Sequence, residues 1–203
     1  MEFKYSNKQL DFMNCIIKNE LGFINILEGS VRSGKTFITN LGWTLFILNS
    51  KNNVFLMSGE STDSLYRNVI KDMLYILGED RAVYQDSAKG GAQLVIKYQH
   101  QTKICYCRGA SKVSDEGKIR GITISCPYCF CSLCTHSSKC LINKTLMMQS
   151  YFICIPTTNG YTSYFIKTEY IDVAKEKGYK HWHFYLDDND TLTYLGLMLV
   201  LYY

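Results

Sequence analysis

The run Gly29-Ser30-Val31-Arg32-Ser33-Gly34-Lys35-Thr36 matches G-x-x-x-x-G-K-[ST], and no other feature restricts the fold as much. This pattern holds phosphate only as a tight loop between a buried strand and the first turn of a helix. Glycines at 29 and 34 admit backbone dihedrals that a Cβ disfavours, so successive N–H groups can turn inward onto phosphate oxygens. The helix that follows adds the attraction of its N-terminal dipole for an anion. Both flanks have the required character. Phe23-Ile24-Asn25-Ile26-Leu27 is a short apolar run that predicts a strand buried on both faces. Lys35 to Leu48 carries Leu41, Trp43, Leu45, Phe46 and Leu48, and predicts a mostly buried helix. The candidate nucleotide-binding residues are therefore Gly29, Ser30, Arg32, Ser33, Gly34, Lys35 and Thr36, with ATP and Mg²⁺ as the expected cofactors. Lys35 is expected to reach the β- and γ-phosphates, and Thr36 to ligate Mg²⁺ through its hydroxyl. Arg32 admits two readings: a cation that stabilises transition-state charge at the γ-phosphate, or a solvated loop arginine.

The remainder of the chain extends this pattern. Val54-Phe55-Leu56-Met57 reads as a second buried strand. Ser61 is placed to cap a helix running to Leu77, with Leu65, Val69, Met73 and Leu77 on one stripe and Gly78 at its end. Strand, helix, strand, helix argues for parallel strands joined by helical crossovers. Leu94–Tyr98 and Lys103–Cys107, around a polar turn at His100-Gln101, predict a hairpin. Ile122-Thr123-Ile124 reads as the opening of another central strand. Tyr161–Lys177 has helical spacing, and His181–Leu186 reads as a strand. With 203 residues and 47 % apolar content, the chain suits one domain with a real core. A net charge of +4 without a basic run does not by itself indicate nucleic acid. No secretory signal is visible at the N-terminus, and no stretch reaches the roughly 18 apolar residues that span a bilayer. A cytoplasmic protein without membrane contact is expected.

The segment Leu27–Thr36 closely resembles the P-loop of the large terminase subunits of tailed phages and prophages, the ATPases that drive DNA into capsids. The likeness continues through Phe55-Leu56-Met57-Ser58-Gly59, Arg67-Asn68-Val69-Ile70 and Lys118-Ile119-Arg120-Gly121-Ile122-Thr123. It returns at Thr157-Thr158-Asn159, at Phe165–Asp172, at His181-Trp182-His183-Phe184 and at Leu186-Asp187-Asp188-Asn189. The resemblance implies that Gln9 contacts adenine and that Arg32 is the catalytic P-loop arginine. It also implies that Thr157, Thr158 and Asn159 couple the γ-phosphate state to DNA movement.

The same family places an Asp-Glu pair at the end of the strand after Ile-Arg-Gly, for Mg²⁺ and for activation of the attacking water. Here Phe130-Cys131 stands where the acids belong, and no Asp or Glu occurs from Ser125 to Ile155. Phenylalanine can neither ligate magnesium nor accept a proton, so hydrolysis is expected to be impaired while binding survives. The stretch instead holds five of the nine cysteines: Cys126, Cys129, Cys131, Cys134 and Cys140. Two CxxC pairs with His136 superficially resemble zinc ligands. Only Phe130 separates the pairs, whereas two zinc knuckles leave about 12–20 residues between them, so the spacing argues against zinc. Two compensating frame changes in the coding sequence are the expected cause of both features, because likeness stops near Ser125 and resumes in register at Thr157. An Asp-Glu pair should then appear when codons 125–156 are read in the alternative frame.

The expected fold is α/β: a mostly parallel sheet of the P-loop NTPase type flanked by helices, irregular around 125–155. Residues 1–190 would form the ATPase domain, with 125–156 degenerate, and 191–203 an aberrant apolar tail. The nuclease domain that family members carry after the ATPase is expected to be absent, and with it DNA cleavage. The resemblance implies double-stranded DNA, a small terminase subunit and a portal as partners in a bacterial host cell. The alternative is a Cys-rich zinc-binding module for nucleic acid or protein on a P-loop scaffold.

Overall fold

A computed structural model describes residues 5–30, 32–109, 127–130, 151–154 and 167–189, with the backbone alone for 127–130 and 151–154. The described strands are β1 (Ile24–Gly29), β2 (Val54–Gly59), β3 (Ala82–Gln85), β4 (Gln93–Tyr98), β5 (Gln101–Gly109), β6 (Pro127–Phe130), β7 (Tyr151–Cys154) and β8 (Lys180–Phe184). They form one sheet in the order β3-β4-β5-β2-β6-β7-β1-β8. Every pairing from β5 to β8 is parallel, and β3 and β4 add an antiparallel edge. This is the expected mostly parallel sheet with helices against it. Strand β3 carries no sequence signal strong enough to have been anticipated.

Helix α1 (Asn7–Ile17) starts on a capping box. The Ser6 hydroxyl accepts the Gln9 N–H, and the Gln9 side-chain oxygen accepts the Ser6 N–H at 3.0 Å. Phe12, Cys15 and Ile16 are its buried stripe. Helix α2 (Lys35–Asn49) buries Ile38, Trp43 and Ile47. Trp43 packs edge-on against Phe55 of β2 at 5.9 Å and stacks on Phe46 at 5.6 Å, which ties α2 to the sheet centre. The capped helix expected over Ser61–Leu77 is present, but in three pieces: α3 (Thr62–Leu65), a π-helical turn (Tyr66–Ile70) and α4 (Lys71–Leu77). The Asn40 side-chain amide donates to the Asn68 carbonyl within that turn and to Asp72, each at 2.9 Å.

The hairpin forms with Gln99 and His100 as its two turn residues, both at positive φ (46° and 62°). That is the left-handed pair a two-residue hairpin turn requires, and it moves the turn one residue ahead of its expected place. The helix expected over Tyr161–Lys177 is not an α-helix where it is described. A π-helical turn spans Lys167–Ile171, with the Asp172 N–H donating to the Lys167 carbonyl, and turns follow. Tyr170 and Ala174 remain buried, so a wider turn preserves the apolar spacing that suggested a helix. Regular strands β6 and β7 occupy part of the stretch expected to be irregular. They complete the parallel sheet between β2 and β1, with Met57 opposite Tyr128 and Leu27 opposite Cys154. Ile122–Ile124, Cys126, Cys131, Cys134, Cys140 and Leu192–Tyr203 lie outside the described residues.

The core includes Phe12, Leu27, Ile38, Trp43, Phe55, Met57, Leu65 and Phe184. No helix among the described residues is long and apolar enough to cross a membrane.

Candidate nucleotide-binding site

Strand β1 is buried at all six positions and delivers the chain to the P-loop at the C-terminal edge of the parallel sheet. Gly29 leaves the strand at φ 135°, and a Cβ there would collide with the Phe184 carbonyl of β8. The Ser30 N–H donates to that same carbonyl at 2.9 Å, so β8 fixes the loop's first turn. Gly34 takes the left-handed conformation (φ 79°) as the N-cap of α2. A Cβ on Gly34 would lie 2.7 Å from Gln9 Nε2. No alanine can therefore replace it without both strain and collision.

The loop gathers groups of a chemistry suited to phosphate. Lys35 is buried at the first position of α2, and its ammonium donates to the Ser30 carbonyl at 2.9 Å, folded back over the loop. Thr36 occupies the second helical position and is partly exposed. The Ser33 hydroxyl is buried with no hydrogen-bond partner among the described residues. An orphaned buried hydroxyl costs about 1–3 kcal/mol, which a phosphate oxygen would recover. Arg32 is exposed and also left-handed (φ 64°). Val31 lies outside the described residues. Loop, ammonium and hydroxyls have the chemistry to hold a phosphate chain.

Two elements distant in sequence close on the loop. Helix α1 brings Gln9, which is buried rather than solvated as an isolated glutamine would be. The segment after β8 brings Asn189, whose side-chain amide donates to the Arg32 carbonyl at 2.7 Å. Sequence likeness at Asn189 carries no role, and only its place beside the loop supplies one. Lys8 holds the two elements together: its Nζ meets Asp188 Oδ2 and the His183 carbonyl, each at 2.6 Å. Trp182 adds a hydrogen bond from its indole N–H to Asp11 at 2.8 Å. Thr157, Thr158 and Asn159 lie outside the described residues, three residues and more beyond the end of β7.

On the far side, β2 ends at Ser58-Gly59, with Ser58 opposite Cys129 of β6. Ser58 Oγ is a second buried hydroxyl with no partner among the described residues, and no local sequence signal marks it. Strand β6 ends at Phe130, so the residue types at its C-terminal end are Cys129 and Phe130, without a carboxylate.

No family model matches the chain, and no curated protein matches it. Solved structures do. The large terminase of a thermophilic bacteriophage superposes with a TM-score of 0.82 at 24 % identity, over 98 % of this chain and 50 % of that one. The same terminase in complex with ATP-γ-S gives 0.78 at 24 % identity, over 97 % and 49 %. Its ADP complex gives 0.78 at 22 % identity, over the same shares. This chain thus has the fold of the phage large terminase across about half of that protein's length.

Proposed function

We propose that the chain is the ATP-binding motor domain of a phage-type terminase large subunit, involved in DNA packaging and impaired in hydrolysis. The observation that carries this reading is the loop at 29–36. Buried β1 and the start of α2 hold it with Gly34 left-handed, Lys35 folded inward and the Ser33 hydroxyl unsatisfied. Nucleotide complexes of a terminase with the same fold support ATP as the ligand.

In this reading Gly29 and Ser30 shape the loop against Phe184, Gly34 holds phosphate through its backbone N–H and Ser33 through its hydroxyl, and Lys35 swings from the Ser30 carbonyl to a phosphate oxygen. Thr36 would hold Mg²⁺, which supplies charge neutralisation between phosphates. Arg32 faces solvent at the loop's outer edge, suited to an anion arriving with the nucleotide. Gln9 positions the loop and contacts the base. Thr157, Thr158 and Asn159 carry the state of the γ-phosphate to DNA, and the small terminase subunit and portal are the partners in the host cytoplasm. The missing step is activation of the attacking water, for which β6 offers no carboxylate.

A fluorescent ATP analogue titrated into wild type and Lys35→Ala tests the reading. Loss of at least tenfold in affinity is expected, from removal of a charge-assisted contact worth about 1.5–3 kcal/mol. Equal affinity in the two proteins would end it.

A further inference from the structure

Strand β1 ends in Leu27-Glu28-Gly29, and β8 reads Lys180-His181-Trp182-His183-Phe184. In their parallel register Glu28 stands beside His183 and Ile26 beside His181. Strand alternation sends Leu27 and Trp182 to the face packed by α1, and Glu28, His181 and His183 to the other. Three metal-ligating side chains meet there. Glu28 Oε1 lies 3.0 Å from both His181 Nε2 and His183 Nδ1. One ligand atom from each residue falls within 4.8 Å of the others. Side-chain exposure is 10 % at Glu28, 26 % at His181 and 43 % at His183, so a carboxylate base carries an imidazole rim open to solvent.

We propose that Glu28, His181 and His183 form a site for a borderline divalent transition-metal ion, Zn²⁺ above all, with solvent in the remaining position. Two imidazoles and a carboxylate are the ligand set of an open three-ligand zinc site. Magnesium and calcium call for oxygen ligands throughout, and copper(I) for sulfur. Bonds of about 2.0–2.1 Å put the ligand atoms of a tetrahedral ion about 3.3 Å apart, so each Glu28–imidazole spacing of 3.0 Å must open by a few tenths of an ångström, and the two imidazole nitrogens, within 4.8 Å of each other, must come to the same separation. The proposal requires side-chain rotations that bring all three ligand atoms to that separation. The charge of Lys8, whose ammonium lies against the His183 carbonyl, is countered by Asp188 at 2.6 Å. None of its three ligands is a cysteine. It sits directly ahead of Gly29, so an ion there would brace the strand pair from which the P-loop springs.

The test uses the full chain with Co²⁺ or Zn²⁺ alone. Because nine cysteines compete, the type of coordination must be read as well as the amount. Co²⁺ should give visible ligand-field bands without a thiolate charge-transfer band, and one equivalent of Zn²⁺ should displace it. Zn²⁺ should raise the melting midpoint of wild type, and both signals should vanish in His183→Ala and in His181→Ala. Purely thiolate cobalt spectra, no uptake at micromolar metal, or equal uptake by wild type and either variant would overturn the proposal. The three residues would then be a hydrogen-bonded cluster only. Should both variants fail to fold, the wild-type cobalt spectrum decides alone.

Discussion

The Asn189 side-chain amide donates to the Arg32 carbonyl at 2.7 Å, joining two residues 157 apart in sequence. Arg32 sits at φ 64°, a conformation costly for a residue with a Cβ. The hydrogen bond offsets part of that cost and holds the loop's outer edge in its curved form.

Removing this prop should therefore be felt by the ligand more than by the fold. Asn189→Ala is expected to weaken ATP-analogue binding about fivefold, the equivalent of about 1 kcal/mol for one hydrogen bond. Global melting should change little, because Asn189 is only partly buried. Fluorescence polarisation and a thermal melt on the same samples measure both, and unchanged affinity would remove Asn189 from the site.

Gln9 has two jobs that one substitution can separate. Its oxygen caps α1 by accepting the Ser6 N–H, while its Nε2 sits over Gly34. Gln9→Glu keeps an acceptor for the cap but replaces the amide donor with an anion facing a phosphate loop. Melting should stay close to wild type and nucleotide affinity should fall severalfold or more. Gln9→Ala should lose both, with about 1 kcal/mol of stability going with the cap. If Gln9→Glu binds nucleotide as tightly as wild type, Gln9 is a capping residue alone.

Local chemistry explains which parts of this fold were legible in the sequence. The loop, β1, α2 and β2 each carry an uninterrupted local signal: glycine spacing for the loop and apolar runs for the rest. Gln9 is visible through family likeness, but its burial is not, since burial depends on where α1 packs. Asn189 and Ser58 become meaningful only once the sheet order sets them beside the loop and beside β6. Strand β3 reads Ala-Val-Tyr-Gln, too short and too mixed to show alternation, and pairing with β4 creates it. The π-helical turn at Lys167–Ile171 is hidden for another reason. Apolar spacing reports which side chains are buried, and an α-helix and a wider turn can bury the same ones.

The residues of β6 lead to a prediction about turnover. General acid–base catalysis contributes about 10²–10⁴-fold, and neither Cys129 nor Phe130 is the carboxylate base this chemistry uses. Wild type is expected to release phosphate from ATP no faster than Lys35→Ala, although only wild type binds the nucleotide well. A phosphate-release assay at saturating ATP checks this. Steady turnover in wild type well above that of Lys35→Ala would mean that a carboxylate outside β6 supplies the base.

The edge of the core around β5 makes stability sensitive to alkali. Burial pushes the Cys107 thiol up to about 12 and the Cys105 thiol well above its ordinary 9.0. Burial likewise raises Tyr84 and Tyr170 from 10.0 to about 12. Above pH 9 the unfolded chain releases thiol protons that the folded chain keeps, so stability present below pH 9 is lost as pH rises. The slope is about 1.4 kcal/mol per pH unit for each such group. Lys103 opposes this. It is buried with its ammonium on the Ser50 and Asn52 carbonyls, and burial lowers its pKa below 10.5. Its contribution is present above 10.5 and is lost as pH falls through its folded value, a slope of opposite sign. Burial raises the Cys15 thiol as well, and three thiols, joined by two phenols above pH 10, outweigh one ammonium. Urea midpoints under reducing conditions should therefore fall from pH 9 to 10. The Cys105→Ala, Cys107→Ala double variant, though less stable at pH 8, should show a shallower fall. An equal fall in both proteins would place the alkaline sensitivity outside β5.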